Sequence, residues 1–187
     1  VKKAQGSGWR SRAVFKLEEL DRKDRLLQRG LIVVDLGAAP GGWSQYVARK
    51  VLPQGRVIAL DILDLDPLDG VTFIQGDFTE AAVLQQLESS LHGARVDLVM
   101  SDMAPNITGN RSVDQPRSMY LVELALDLAA RNLASGGTFV AKVFQGEGYD
   151  GIVNQCRKAF RTVKIRKPAA SRPESRETYI VASGFRL

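Results

Sequence analysis

The chain has 187 residues, 44% of them hydrophobic and 25% charged, which suits a globular protein with a sizeable core and excludes fibrous and disordered classes. Its longest apolar candidate, Leu121 to Ala130, is interrupted by Glu123 and Asp127 and falls well short of the roughly 20 residues that span a bilayer, so a soluble protein with no membrane partner is expected. The net charge of +5 is split unevenly: nine Lys/Arg against four Asp/Glu in residues 1–29, eight against one in 157–176, and eight against fifteen in 30–156.

Residues 10–24 predict a helix, with Val14, Leu17 and Leu20 at helical spacing. Short apolar runs at 31–36, 56–61, 71–75, 96–101 and 138–144 predict buried strands, separated by helical stretches at 42–51, 80–91, 116–133 and 149–160. Such alternation defines an α/β fold on an open, mostly parallel sheet covered on both faces. Two more strands, 163–167 and 178–183, have too little chain between them for a helix and are predicted to be antiparallel neighbours. Segments 103–115 and 168–176, rich in Pro, Ser, Asn and Gly, predict loops. The first follows the carboxyl end of a strand, where open α/β sheets bind ligands. A single domain over 1–187 is expected, with a basic N-terminal segment, 1–29, leading into an α/β core, 30–187.

The strongest local signal is Val33-Val34-Asp35-Leu36-Gly37-Ala38-Ala39-Pro40-Gly41-Gly42-Trp43-Ser44, a strand entering a glycine-rich turn and then a helix. Glycines admit a ligand close to the backbone, and the helix start offers free N–H groups. Asp61, ending the second strand, is placed to accept from a ribose diol. Asp77, after the third strand, is a candidate acceptor for an adenine amino group. Trp43 is a candidate for lining this pocket or for a buried helix start. A nicotinamide dinucleotide site prefers Gly-x-Gly-x-x-Gly, but here Ala39 takes the second glycine position and Pro40 follows it. Asp35, Asp61, Asp77 and Asp102, each at or just past a strand, favour a positively charged ligand over a diphosphate, and a sulfonium cofactor suits them.

These residues resemble the FtsJ family of ribosomal RNA 2'-O-methyltransferases. The likeness rests on Arg10-Ser11-Arg12-Ala13 with Phe15-Lys16-Leu17, on the glycine-rich motif, and on Ser101-Asp102-Met103-Ala104-Pro105-Asn106, Lys142-Val143-Phe144-Gln145-Gly146 and Ser175-Arg176-Glu177. It implies a Rossmann-like S-adenosylmethionine-dependent methyltransferase fold, a seven-stranded mostly parallel sheet whose last strand is antiparallel. It also implies a Lys-Asp-Lys-Glu catalytic tetrad, which falls on Lys16, Asp102, Lys142 and Glu177. Cofactor contacts fall on Gly37, Gly41, Trp43, Asp61, Asp77 and Asp102, with S-adenosyl-L-methionine as the cofactor and no metal. The implied partner is a uridine of large-subunit (23S) ribosomal RNA, met in the cytoplasm by a monomer.

Methyl transfer from a sulfonium is an in-line displacement, so the acceptor oxygen must be held about 3 Å from the methyl carbon and must shed its proton. Lys142, near the end of the fifth strand, is expected to act either as general base or as a protonated clamp that orients the hydroxyl. Lys16 and Asp102 are expected to stabilise the transferring group and Glu177 to orient a lysine. Carbon-5 methylation of a pyrimidine needs a nucleophilic cysteine, but the lone Cys156 lies inside a predicted helix, where packing is its expected role. His92 is expected to be solvated. Basic ends around an acidic centre predict a polyanion gripped at the flanks, with Lys2, Lys3, Arg10, Arg12, Arg22, Lys23, Arg166, Lys167, Arg172 and Arg176 as candidate phosphate contacts.

Overall fold

The computed structural model describes residues 6 and 8–187, so Lys2 and Lys3 lie outside the described residues. The elements in chain order are α1 (Val14–Asp24), β1 (Ile32–Leu36), α2 (Gly42–Val51), β2 (Arg56–Asp61), β3 (Val71–Gln75), α3 (Ala81–Ser90), β4 (Val96–Ser101), α4 (Arg111–Asn132), β5 (Leu133–Phe144), α5 (Tyr149–Ala159), β6 (Phe160–Arg166) and β7 (Glu177–Phe185). They form one seven-stranded sheet in the order β3-β2-β1-β4-β5-β7-β6. Strands β1 to β5 run parallel, while β7 is antiparallel to both β5 and β6. The α/β fold, its mostly parallel sheet and its antiparallel last strand are therefore as the sequence predicts.

Both sheet faces are covered because successive residues of a strand point to opposite sides. On β1, Val34 and Leu36 join a core packed under α3, α4 and α5. Val33 points the other way, into a second core shared with Val14, Leu17 and Leu20 of α1 and with Trp43 and Val47 of α2. Cys156 is fully buried in the first core, and burial pushes its thiol up to about 12, which fits the packing role. His92 is exposed.

Several boundaries differ from the sequence expectation, among them β6, which starts at Phe160 rather than at residue 163, and β7, which runs on to Phe185. Helix α1 starts at Val14 rather than at residue 10, because the preceding residues turn on Ser11, whose hydroxyl accepts from Ala13 N at 3.1 Å. Helix α4 starts at Arg111 and carries Pro116 inside it. Asn110 caps it, its side chain accepting from Ser112 N at 3.0 Å, so the helix begins ahead of Pro116. Strand β5 begins at Leu133, opposite Val96, and reaches Thr138, opposite Leu98, through a register shift.

Helix α1 is held to the rest by more than its apolar face. Asp24 accepts a two-point contact from Arg166, at 2.7 and 3.0 Å, and Glu19 accepts from the backbone N–H groups of Ala169 and Ala170. Asp21 accepts from Tyr46 of α2 at 2.8 Å. These anchors fix the helix that carries Lys16. Leu17→Ala, which empties a fully buried position on this helix, is expected to lower stability by about 2–5 kcal/mol in urea unfolding.

Candidate active site

A cleft of about 570 Å³ opens at the carboxyl ends of β1, β2, β3 and β4. Asp61, Asp77 and Asp102 line it together with Gly37, and Ile62, Phe78, Met103 and Leu124 supply apolar walls. Gly37 has φ +73, and a Cβ there would come within 2.5 Å of Met103 Cγ, so both the turn and the close approach of Met103 favour glycine. Two backbone N–H groups hold Asp61, Ala39 N on Oδ2 at 2.8 Å and Leu63 N on Oδ1 at 2.9 Å. Asp77 accepts from Thr79 N at 2.9 Å. The carboxylates are thus aimed before any ligand arrives.

Gly41 and Trp43 stand apart from the cleft lining. Gly41, at φ +116, is the residue before α2 and lies under Leu65 and Arg10, so it serves the shape of the turn. The Trp43 indole is turned into the core, donating to the Ala13 carbonyl at 2.8 Å and packing on Tyr179 with ring centroids 5.9 Å apart. Only its backbone faces the turn, because an apolar ring gains more between α1 and the sheet than at an exposed cleft.

The four residues of the implied tetrad meet at one point. Lys142 sits opposite Tyr179 in the β5-β7 ladder, and Glu177 lies two residues before Tyr179, so all three side chains share a sheet face. Asp102 follows β4, and α1 lays Lys16 over the cluster. Lys16 Nζ lies 2.8 Å from Glu177 Oε1, and Lys142 Nζ lies 3.2 Å from Asp102 Oδ1 and 3.6 Å from Glu177 Oε2. Burial works to raise the Glu177 carboxyl, but the hydrogen bond from Lys16 and the charges of Lys142 and Lys16 outweigh it and hold the group below its ordinary value. Asp102 lines the cleft as well, so it joins the cleft to the cluster.

Tyr179 is a member of the site that sequence reasoning missed. It is fully buried, and its hydroxyl donates to Asp102 at 2.6 Å and lies 3.3 Å from Glu177 Oε1. Burial, then the charges of Asp102 and Glu177, raise the phenol well above its usual range, so it remains a donor. Its place two residues after Glu177 was the available signal, since side chains at that spacing share a face. Ser171 also reaches Glu177, at 3.3 Å.

Several candidate phosphate contacts are engaged elsewhere. Arg10 donates to the Asp66 and Pro67 carbonyls at 2.6 and 2.9 Å, pinning the loop after β2, and Arg166 is paired with Asp24. Lys167 donates to the Ser175 and Glu177 carbonyls, and Arg176 to Gln115 Oε1 and the Gln145 carbonyl. Arg12, Arg22, Lys23 and Arg172 are exposed.

A mostly parallel sheet of this order, with an acidic cleft at the carboxyl ends of its parallel strands, defines a Rossmann-like α/β fold. The sequence model of the FtsJ-like methyltransferases matches residues 9–185, and the chain belongs to that family. It is 60% identical over 185 residues to the ribosomal RNA large subunit methyltransferase E of Chromohalobacter salexigens, covering 99% of this chain and 88% of that protein. A solved structure described as a ribosomal RNA methyltransferase of Plasmodium falciparum superposes with a TM-score of 0.86 at 29% identity, covering 95% of this chain and 98% of that one. A Streptococcus mutans protein described as a methyltransferase, solved in complex with SAH, superposes at 0.56 with 13% identity over 87% of this chain and 92% of its own, a likeness of fold alone.

One buried carboxyl beneath the cleft titrates near neutrality. Asp35 is pushed up to about 7 by burial, partly opposed by the hydrogen bond from Ser44 and reinforced by the charges of Asp102 and Asp61. The folded state keeps a proton that the unfolded chain gives up near its ordinary value of 3.8. This group's stabilising contribution is therefore complete below that value and is lost as pH rises through about 7. Asp35→Asn mimics the protonated form. Relative to the parent, the variant is expected to gain about 2–3 kcal/mol between about pH 5 and pH 8, read by urea unfolding at both.

Proposed function

We propose that this enzyme methylates a ribose 2'-hydroxyl of large-subunit (23S) ribosomal RNA, at a uridine, working as a monomer in the cytoplasm. The observation that carries this reading is the cluster of two lysines and two carboxylates abutting the cofactor cleft through Asp102. The likeness to the ribosomal RNA large subunit methyltransferase E of Chromohalobacter salexigens supports the large-subunit substrate. S-adenosylmethionine supplies an electrophilic methyl group on a positively charged sulfur. The cleft fits it: fixed carboxylates at Asp61 and Asp77 for hydroxyl and amino groups, Gly37 without a side chain in the lining, and apolar walls for a flat ring.

The protein's part is mainly positioning. The Lys142 contacts of 3.2 to 3.6 Å are longer than the usual 2.7–2.9 Å of a charge-assisted hydrogen bond, so an N–H can swing onto an incoming hydroxyl oxygen. Lys142 then orients the oxygen lone pair toward the methyl carbon. The proton that the oxygen sheds passes to the Asp102 carboxylate. Tyr179 holds Asp102 in place, and Lys16 supplies the positive charge that keeps Glu177 ionised beside Lys142.

Mass-spectrometric mapping of methyl groups after incubation with unmodified large ribosomal subunits tests the acceptor. A new 2'-O-methyl uridine is expected, and a methyl on a base instead would overturn the reading. Lys142→Ala is expected to lower turnover about a hundredfold or more with parent-like cofactor affinity by calorimetry. Lys142→Arg, which keeps the charge but cannot serve as base, is expected to retain measurable turnover; complete loss there would move the base role to Lys142.

A further inference from the structure

A second cavity, of about 310 Å³, lies next to the tetrad and takes no part in the chemistry above. Ile107 of the loop after β4, Arg111 and Gln115 of α4, Phe144 at the end of β5, and Glu174 and Arg176 of the loop before β7 line it. Each wall adjoins the tetrad or the cleft. Phe144 is two residues beyond Lys142 on one strand and stands opposite Glu177 in the ladder, so all three side chains share a face. Arg176 directly precedes Glu177. Loop and helix serve both hollows: residues 102–104 and Tyr120, Leu121 and Leu124 line the cofactor cleft, whereas Ile107 and α4 residues from Arg111 to Ser118 line the second cavity. The tetrad stands between a methyl-donor site and this hollow.

We infer that the second cavity seats the base of the acceptor nucleotide, with Arg111 and Glu174 reading its edge; this rests on the ribose-methylation reading above. A ribose oxygen held at Lys142 carries its base on the adjacent ring carbon, and Phe144 lies about 7 Å further along the strand, within reach of that base. The volume equals roughly ten waters, room for a single flat ring with some solvent beside it. Phe144, half-buried, and Ile107, 62% exposed, offer apolar surface for the ring face.

The cavity frame is already held. Asp114 accepts from Thr108 N at 2.9 Å, from the Thr108 hydroxyl at 2.8 Å and from Gly109 N at 3.0 Å, which fixes the loop. Gln115 donates to the Phe144 and Glu147 carbonyls and accepts from Arg176. Arg111 and Glu174 are different: both are exposed, and neither has a hydrogen bond or ion pair from its side chain among the described residues. One cationic donor and one anionic acceptor on the rim match a base edge that carries a carbonyl beside a ring N–H. Uracil and guanine present such an edge; cytosine and adenine do not.

Steady-state kinetics on large ribosomal subunits lacking the modification test this. Arg111→Ala and Glu174→Ala alter exposed side chains, so the fold is expected to tolerate them. Each is expected to raise KM for the subunits about tenfold, with S-adenosylmethionine affinity by calorimetry as in the parent. Arg131→Ala, on the surface beside Glu88, serves as control and is expected to leave KM unchanged. Values within about twofold of the parent for both cavity variants would overturn the assignment. If they stay parent-like while Lys142→Ala is inactive on the same subunits, the cavity assignment fails and the ribose-methylation reading stands. If the parent places no 2'-O-methyl group, both fail together.

Discussion

The Lys16 to Glu177 ion pair, 2.8 Å long between residues 161 positions apart in sequence, is the contact on which the site depends. Removing charged groups from water is costly, and one carboxylate beside one lysine rarely recovers that cost at a mostly buried position. Here two lysines and two carboxylates share it, and Tyr179 and Ser171 add neutral donors. The arrangement holds only while α1 stays seated. That explains why α1 is fastened by its apolar face, by Asp24 on Arg166, by Asp21 on Tyr46 and by Glu19 on the loop before β7.

The sheet forces the remaining geometry. Parallel strands β1 to β4 end on one edge, which collects Asp61, Asp77 and Asp102 around a common cleft. The antiparallel insertion of β7 between β5 and β6 then brings Glu177 beside Lys142, because Glu177 opposes Phe144, which shares a face with Lys142 two residues before it. A parallel strand in that position would present its other end at this edge. Chain reversal at the close of the fold is thus what completes the cluster.

Much of this was legible in the residues. Continuous apolar runs such as Ile32 to Val34 and Val57 to Leu60 announce strands buried on both faces, and the glycine-rich turn announces the cleft. What stayed hidden was partnership. Charge alone does not distinguish an arginine facing solvent from Arg10, bound to backbone carbonyls, or Arg166, bound to Asp24. An aromatic beside a ligand loop does not reveal that its ring turns inward, as Trp43 does. Tyr179 looks like an ordinary strand residue until the fold sets its hydroxyl between two carboxylates. The start of α4 was obscured because Pro116 resembles a first-turn residue, although Asn110 begins the helix earlier.

The acidity of the cleft bears on what happens after transfer. A donor that has given up its methyl group no longer carries the positive sulfur, while the Asp61 and Asp77 carboxylates that line the cleft are unchanged. Coulomb attraction that drew the fresh donor in is therefore weaker for the spent one. On the function proposed above, the same carboxylates favour exchange of exhausted for fresh reagent.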